Sequence, residues 1–184
     1  MKNNILLICV LSALIFTGCQ SNKGALSISS PNLKNRIEFN LLKNGAISYL
    51  VTHDDIPIID TSLISFEFQG EEPFKGDFEV VNSVNSSYSE RWEMPWGEQR
   101  EVINNYNQLL VELRETITPK RRLNIYFRAY DDGVAFRYEF LPQRGVDSLI
   151  IMEENTEFRF TGDHTAWWIP GDWDSYEHLY NTPR

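Results

Sequence analysis

Tryptophans set among acidic and amide side chains are the residues whose type and spacing best suggest chemistry. Trp92 and Trp96 flank a Glu-Met-Pro segment, and Trp167, Trp168 and Trp173 follow near the end of the chain. Sugars present flat patches of C–H groups to aromatic rings, and their hydroxyls need polar partners, so this setting favours carbohydrate binding. The alternative, which is the commoner fate of tryptophan, is a position in the core or at a domain interface.

A second group with possible chemistry is the acidic run at residues 172–177, Asp-Trp-Asp-Ser-Tyr-Glu. Three carboxylates within six residues offer oxygen ligands for calcium. The run lacks the EF-hand spacing, and its side chains alone fall short of the six to eight oxygens that calcium takes. The spacing by itself therefore favours a solvated acidic loop.

Several other chemistries have little support. The three histidines, His53, His164 and His178, have no Gly-x-Ser-x-Gly sequence nearby, and no phosphate-binding or dinucleotide-binding glycine pattern occurs. A sugar mutarotase would need a histidine and a carboxylate on one concave sheet face, whereas we expect these histidines near turns or the terminus. The formal net charge of −9 makes nucleic acid an unsuitable partner, because binding phosphates requires a basic face.

The N-terminus has the pattern of an export signal. Lys2 precedes an apolar run at residues 5–16, and Thr17-Gly18-Cys19 follows. Phe-Thr-Gly-Cys resembles a bacterial lipoprotein box, in which cleavage before the cysteine leaves its thiol to be lipidated. We therefore expect a signal peptide at 1–18, a lipid on Cys19, a polar tether over 19–24 and an exported, membrane-anchored protein facing the periplasm or the cell surface. A plain signal peptide with an incidental cysteine is the alternative.

The elements that must position these residues are strands. Apolar residues alternate with polar ones from residue 25 onward, and turn sequences separate the segments. The clearest hairpin pairs the segments on either side of Asp131-Asp132-Gly133, and no convincing helix longer than about two turns is found. Arg128 and Arg137 face across this hairpin, in a register that favours a structural ion-pair cluster over substrate contact. We predict an all-β, antiparallel β-sandwich over residues 25–184.

Three motifs give a family resemblance. Trp-Gly-Glu at 96–98, Asn-Tyr-Asn at 105–107 and the long run Arg-Ala-Tyr-Asp-Asp-Gly-Val-Ala-Phe-Arg-Tyr-Glu at 128–139 resemble the N-terminal domain of glycoside hydrolase family 97. The stretch from Trp168 to Tyr180 is similar to the end of that domain. The resemblance implies a sandwich like the galactose mutarotase fold (a supersandwich) and action on α-glucosides or α-galactosides. Trp96 and Trp168, which lie in these motifs, are the tryptophans that we expect to contact an α-linked glycan.

The same resemblance implies a calcium ion and a second domain. Glu177 matches the calcium ligand that the sandwich supplies, while the remaining ligands and the catalytic carboxylates of the family belong to a (β/α)₈ barrel. A barrel needs about 250 residues, and none follow Arg184, so we assign no catalytic residue and expect the chain alone to be inactive. The alternative is a non-catalytic, glycan-binding surface lipoprotein.

Overall fold

The computed structural model describes residues 26–142, 148–171 and 177–182. The expected signal peptide at 1–18, the tether at 19–24, the lipidation site Cys19 and most of the acidic run, at 172–176, lie outside the described residues. Within the described ranges every regular element is a strand, and no helix has the length and apolar character to cross a membrane. The strands are β1 Leu26–Ser29, β2 Asn35–Leu41, β3 Ile47–His53, β4 Ile56–Phe68, β5 Glu71–Phe74, β6 Phe78–Glu93, β7 Glu101–Glu115, β8 Arg122–Tyr130, β9 Gly133–Phe140 and β10 Ile151–Thr156.

The strands form two antiparallel sheets, which confirms the predicted fold class. The first sheet has the order β1-β2-β3-β4-β10, with β5 paired to β4, and the second has the order β6-β7-β8-β9. The predicted hairpin is β8–β9, in which Tyr130 pairs with Gly133 and Phe127 with Phe136. The polar segment at 82–89 lies in β6, the edge strand of the second sheet.

One hydrophobic core lies between the sheets, and the alternation of the strands explains it. In β8 the side chains of Leu123, Ile125, Phe127 and Ala129 are fully buried, while Arg128 and Tyr130 point to the other face. Phe39 of the first sheet packs against Phe127 of the second with ring centroids 6.0 Å apart. Alternate residues thus fill one core and leave the opposite faces for polar groups.

The core also contains one charged pair. Arg121 and Glu115 are both almost completely buried, and the Arg121 Nε and Nη2 atoms donate to the two carboxylate oxygens over 2.8 and 2.6 Å. The guanidinium also lies over the Phe74 ring, 4.4 Å from its centroid. This pair closes the connection between β7 and β8.

Candidate functional site

The β6–β7 hairpin tip, which carries Trp96, lies at the same end of the sandwich as the β8–β9 and β3–β4 turns. Asn35, at the start of β2, pairs with His53, at the end of β3, and its side-chain amide donates to the backbone oxygens of Tyr130 and Asp131 over 2.9 and 3.2 Å. These bonds join the β8–β9 turn to the β3–β4 turn. We call this end of the molecule the ribbon end.

The name refers to a two-stranded ribbon formed by residues 89–93 of β6 and 101–105 of β7. These segments pair with each other, from Ser89–Asn105 to Glu93–Glu101, and extend past Tyr106–Tyr130, where the pairing of β7 with β8 ends. The Met94 N–H donates to the Arg100 carbonyl over 2.7 Å and closes the tip. The ribbon therefore projects beyond the sandwich, where water reaches both of its faces.

Trp96 lies in the tip of the ribbon. Its side chain is 76% exposed, and no hydrogen bond or ring contact within the described residues attaches it to the sandwich. Trp92, on the outer face of the ribbon, is 42% exposed and donates from its indole nitrogen to the Met94 sulfur over 3.3 Å. The structure thus places both tryptophans outside the core of this chain.

The C-terminal segment also reaches the ribbon end. After β10 it continues along β4: Phe160 forms a bridge with Ile59, and the Thr161 hydroxyl donates to the Pro57 carbonyl over 2.7 Å. Further on, the backbones of Trp168 and Asn181 exchange two hydrogen bonds of 3.1 and 2.8 Å, which holds residues 177–182 beside Trp168. Trp168 is 46% exposed, and Glu177 is exposed. The structure therefore associates the Glu177 segment with Trp168, and no backbone hydrogen bond within the described residues joins Trp168 to the ribbon tip.

A single carboxylate of the predicted calcium site is described. Within the described ranges, no three His, Cys, Asp or Glu side chains gather into a set that could hold a metal ion. Glu177 alone can supply at most two of the six to eight oxygens that calcium takes. The described residues therefore do not form a complete calcium site by themselves.

A cleft of about 620 Å³ opens between the ribbon and the β8–β9 turn, and its walls are Ile103, Asn105, Tyr130, Asp131 and Asp132. The sequence pattern identified Asp131 and Asp132 only as turn residues and missed their place in a cleft. The available signal was the Asn-Tyr-Asn motif, which lies directly before the core part of β7.

The two arginines of the β8–β9 hairpin stack on tyrosines. The Arg137 guanidinium lies 3.8 Å from the Tyr126 ring centroid and the Arg128 guanidinium 4.4 Å from that of Tyr106. Arg128 pairs in register with Ala135 and donates through Nε to the Gln108 side chain over 2.9 Å. Stacking on aromatic rings is therefore the main contact of both guanidiniums, in place of the expected ion-pair cluster.

Hydrogen bonding on the same outer face changes the acidity of two groups. The carboxylate of Glu139 accepts from the Tyr126 hydroxyl over 2.8 Å and from the Asn124 amide over 3.0 Å. These two bonds, with a smaller contribution from the Arg137 charge, lower the pKa of Glu139. The hydrogen bond to Glu139 is also the largest cause that raises the pKa of Tyr126, and burial of the phenol is the second. This face is therefore an ordered network of stacked rings and charge-assisted hydrogen bonds.

His53 and His164 lie near turns or outside the strands, as we expected from the sequence. The His53 Nδ1 atom lies 2.6 Å from the Asn35 side-chain oxygen, and its Nε2 atom lies 3.4 Å from an Asp54 oxygen in the β3–β4 turn. The His164 ring packs against Phe160 beyond the end of β10. The His53 ring, with Asp54 beside it, lies at the end of β3, and the His164 ring lies beyond β10, so neither occupies the concave sheet face that the mutarotase hypothesis required.

Comparison with solved structures places this fold among large enzymes. A glycoside hydrolase family 97 enzyme from Pseudoalteromonas sp. strain K8 in complex with panose matches with 32% identity and a TM-score of 0.78, over 85% of this chain and 24% of that chain. The same enzyme in complex with acarbose matches with the same identity and TM-score. A β-arabinopyranosidase at 21% identity and a TM-score of 0.73 shares the fold.

Sequence comparisons point the same way. The retaining alpha-galactosidase of Bacteroides thetaiotaomicron is 27% identical over 197 residues, which cover 100% of this chain and 27% of that protein. The chain thus spans about a quarter of the length of the relatives it matches. The family model described as "Glycosyl-hydrolase 97 N-terminal" matches residues 28–184. The chain therefore belongs to glycoside hydrolase family 97 and corresponds to its N-terminal domain.

Proposed function

We propose that this chain is the N-terminal sandwich of an exported hydrolase that acts on α-glucosides or α-galactosides. The observation that carries the proposal is the match of residues 28–184 to the N-terminal domain of the family, with a similar fold in enzymes about four times as long. The relative named a retaining alpha-galactosidase supports an α-linked substrate. In this proposal, a further domain carries the catalytic carboxylates that hydrolysis requires.

In this proposal the sandwich holds glycan-contacting and metal-binding groups at the ribbon end. Trp168 and Glu177 lie on the segment that leaves this end, and Glu177 donates one carboxylate to a calcium ion whose other ligands come from a catalytic barrel. Trp96, at the exposed ribbon tip, provides a flat apolar surface for a sugar ring or for the neighbouring domain. A lipid on Cys19 holds the protein at a membrane surface.

The size of the polypeptide in its own cells tests the central claim. An antibody raised against the sandwich is expected to detect a protein several times heavier than the 21.5 kDa of this sequence. In that longer protein, Glu177→Gln is expected to weaken calcium binding and lower hydrolysis of a nitrophenyl α-glucoside or α-galactoside. Glu71→Gln, at an exposed carboxylate of β5 away from the ribbon end, serves as the matched control.

The second candidate is a non-catalytic, glycan-binding lipoprotein, which the exposure of Trp96 favours. It requires a cellular band near the mass of this sequence and saturable binding of α-glucans by the short chain. A short band without glycan binding would contradict both candidates.

A further inference from the structure

The walls of the cleft at the ribbon end combine apolar and polar groups. Ile103, on the ribbon, is 59% exposed and lies across the cleft from the β8–β9 turn. Asn105, on the same face of the ribbon, adds a side-chain amide, and the turn adds the exposed carboxylates of Asp131 and Asp132. The cleft therefore offers one apolar surface, one amide that can donate and accept hydrogen bonds, and two carboxylates that can accept them.

The turn that carries the carboxylates is held rigidly from behind. One Asp131 carboxylate oxygen accepts from the Asn32 N–H over 2.8 Å, and the Asn35 amide holds the backbone oxygens of Tyr130 and Asp131. The Tyr130 ring packs on Tyr106 with centroids 5.0 Å apart. Asp132, which carries none of these bonds, lines the cleft from a turn whose backbone is already held, so little backbone freedom is lost when a ligand binds.

The ribbon wall also offers backbone groups. Pairing between β7 and β8 ends at Tyr106–Tyr130, and no other described strand continues beside residues 101–105 on that side. The backbone N–H and C=O groups that point from this stretch toward the cleft therefore have no strand partner, and such groups need hydrogen bonds. A ligand with hydroxyls can supply these hydrogen bonds in place of solvent.

We propose that this cleft is a sugar-binding site of the sandwich, in which Asp132 and Asn105 bind the hydroxyls of one pyranose ring and Ile103 contacts its C–H face. The proposal rests on the proposed function for the choice of α-linked sugars. The volume suits a ligand of one or two sugar rings, since small-molecule sites measure about 300–1,000 Å³. A neutral polyol fits better than an anion, because both charged groups in the cleft are carboxylates, which repel phosphate.

Titration of the folded 184-residue chain with methyl α-glucoside and methyl α-galactoside tests the site. Saturation-transfer NMR and isothermal calorimetry in a buffer with EDTA measure binding without any contribution from calcium. We expect saturable binding of at least one sugar, weakened about tenfold or more by Asp132→Asn, because hydrogen bonds to a charged group are the strong ones. Asn105→Ala should also weaken binding, because it removes a donor and an acceptor. Asp132→Asn keeps the shape of the turn residue.

Asp55→Asn is the matched control, because Asp55 is an exposed carboxylate in the neighbouring β3–β4 turn and its positive φ of 63° suits asparagine. It is expected to bind sugar like the unmodified chain. Unchanged affinity in both cleft variants overturns the proposal, and so does a folded chain that binds neither sugar. Binding that is lost only in Trp168→Ala assigns the sugar to the C-terminal segment, which supports the proposed function while rejecting the cleft. Calcium binding at Glu177 is measured separately and does not depend on these outcomes.

Discussion

Arg121 is one of the largest fully buried side chains among the described residues, and the environment of its guanidinium explains how a charge is tolerated in the core. Glu115 binds two of its nitrogens, and the Glu115 carboxylate also accepts from the Arg121 backbone N–H over 3.0 Å. The third nitrogen, Nη1, has no partner within the described residues. Because one hydrogen bond is already missing, the guanidinium depends strongly on Glu115.

Glu115→Gln is therefore expected to lower the free energy of unfolding by about 3–5 kcal/mol, since it leaves a buried charge without its counter-charge. Urea denaturation followed by circular dichroism measures the change. Glu93→Gln is the control, because the Glu93–Arg100 pair is exposed and such pairs contribute about 0–1 kcal/mol. Equal losses in the two variants would mean that burial does not determine the strength of the Glu115 pair.

A second prediction at this scale concerns Glu139. Tyr126→Phe removes the hydroxyl that donates to its carboxylate, so the pKa of Glu139 should rise toward its usual value. A carboxylate whose pKa is lower in the folded than in the unfolded state adds stability above the unfolded value, and this stability is lost as the pH falls through the folded pKa. The variant should therefore be less stable than the unmodified chain at neutral pH, with a difference that shrinks in acid.

Carbon NMR of the side-chain carboxyls reports the pKa of Glu139 directly, and chemical denaturation at neutral and acid pH reports the stability difference. Tyr180→Phe controls for the loss of a phenol, because Tyr180 is exposed. A pKa of Glu139 that stays the same in Tyr126→Phe would show that the hydroxyl does not set its acidity.

Among the elements, the turn between β2 and β3 is more constrained than its length suggests. Gly45 has φ +73°, and a Cβ at this position would lie 2.6 Å from the Phe78 backbone nitrogen. Gly70, between β4 and β5, has nearly the same φ of +74° but open space around it. Substitutions at these two glycines therefore allow the free-energy cost of the backbone conformation to be measured separately from that of a steric clash.

Gly70→Ala should cost about 1–2 kcal/mol, the penalty of a left-handed conformation for a residue with a Cβ. Gly45→Ala should cost clearly more, because the clash is with backbone atoms that are bonded to the turn itself: the Asp77 N–H donates to the Asn44 carbonyl over 2.8 Å. Thermal denaturation of the two variants measures the difference. Equal costs would indicate that the turn moves away from Phe78 without penalty.

The ribbon contributes no buried side chain to the core. Its two segments pair only with each other, so replacing residues 90–104 by Asn-Gly, a sequence that favours a tight hairpin turn, should leave the sandwich folded with little change in melting temperature. The same deletion removes Ile103 from the cleft and should abolish sugar binding there. A large drop in melting temperature would show that the ribbon supports the sandwich.

Across the whole molecule, one core joins both sheets. Phe66 of the first sheet meets Tyr138 of the second with ring centroids 4.8 Å apart, and Tyr49 meets Phe136 at 5.0 Å. Neither sheet can keep its apolar face buried without the other, so the chain should unfold in a single cooperative transition. Coincident near- and far-ultraviolet circular dichroism curves would confirm this, and two separate midpoints would contradict it.

Much of this architecture could be predicted from the sequence, because period-two alternation depends on burial. The β8–β9 hairpin follows directly from its pattern, with Leu123, Ile125 and Phe127 on the buried face. The ribbon could not be predicted in this way. Residues 89–93 and 101–105 do not contact the core, so no alternation of apolar and polar residues marks them as strands. The cleft was missed for a related reason: Asn105 and Asp132 are 27 positions apart, and only the register Tyr106–Tyr130 brings them together.

The concentration of the ribbon, the two turns and the C-terminal segment at one end has an evolutionary consequence. The opposite end carries the Arg121–Glu115 pair and the Gly45 turn, where we expect substitutions to destabilise the fold. Insertions in the ribbon, or exchanges at Asn105 and Asp132, touch no core side chain. Relatives can therefore diverge in what they recognise through this one end while inheriting an unchanged scaffold, and a designer could transplant ribbon sequences between relatives to alter their preferences.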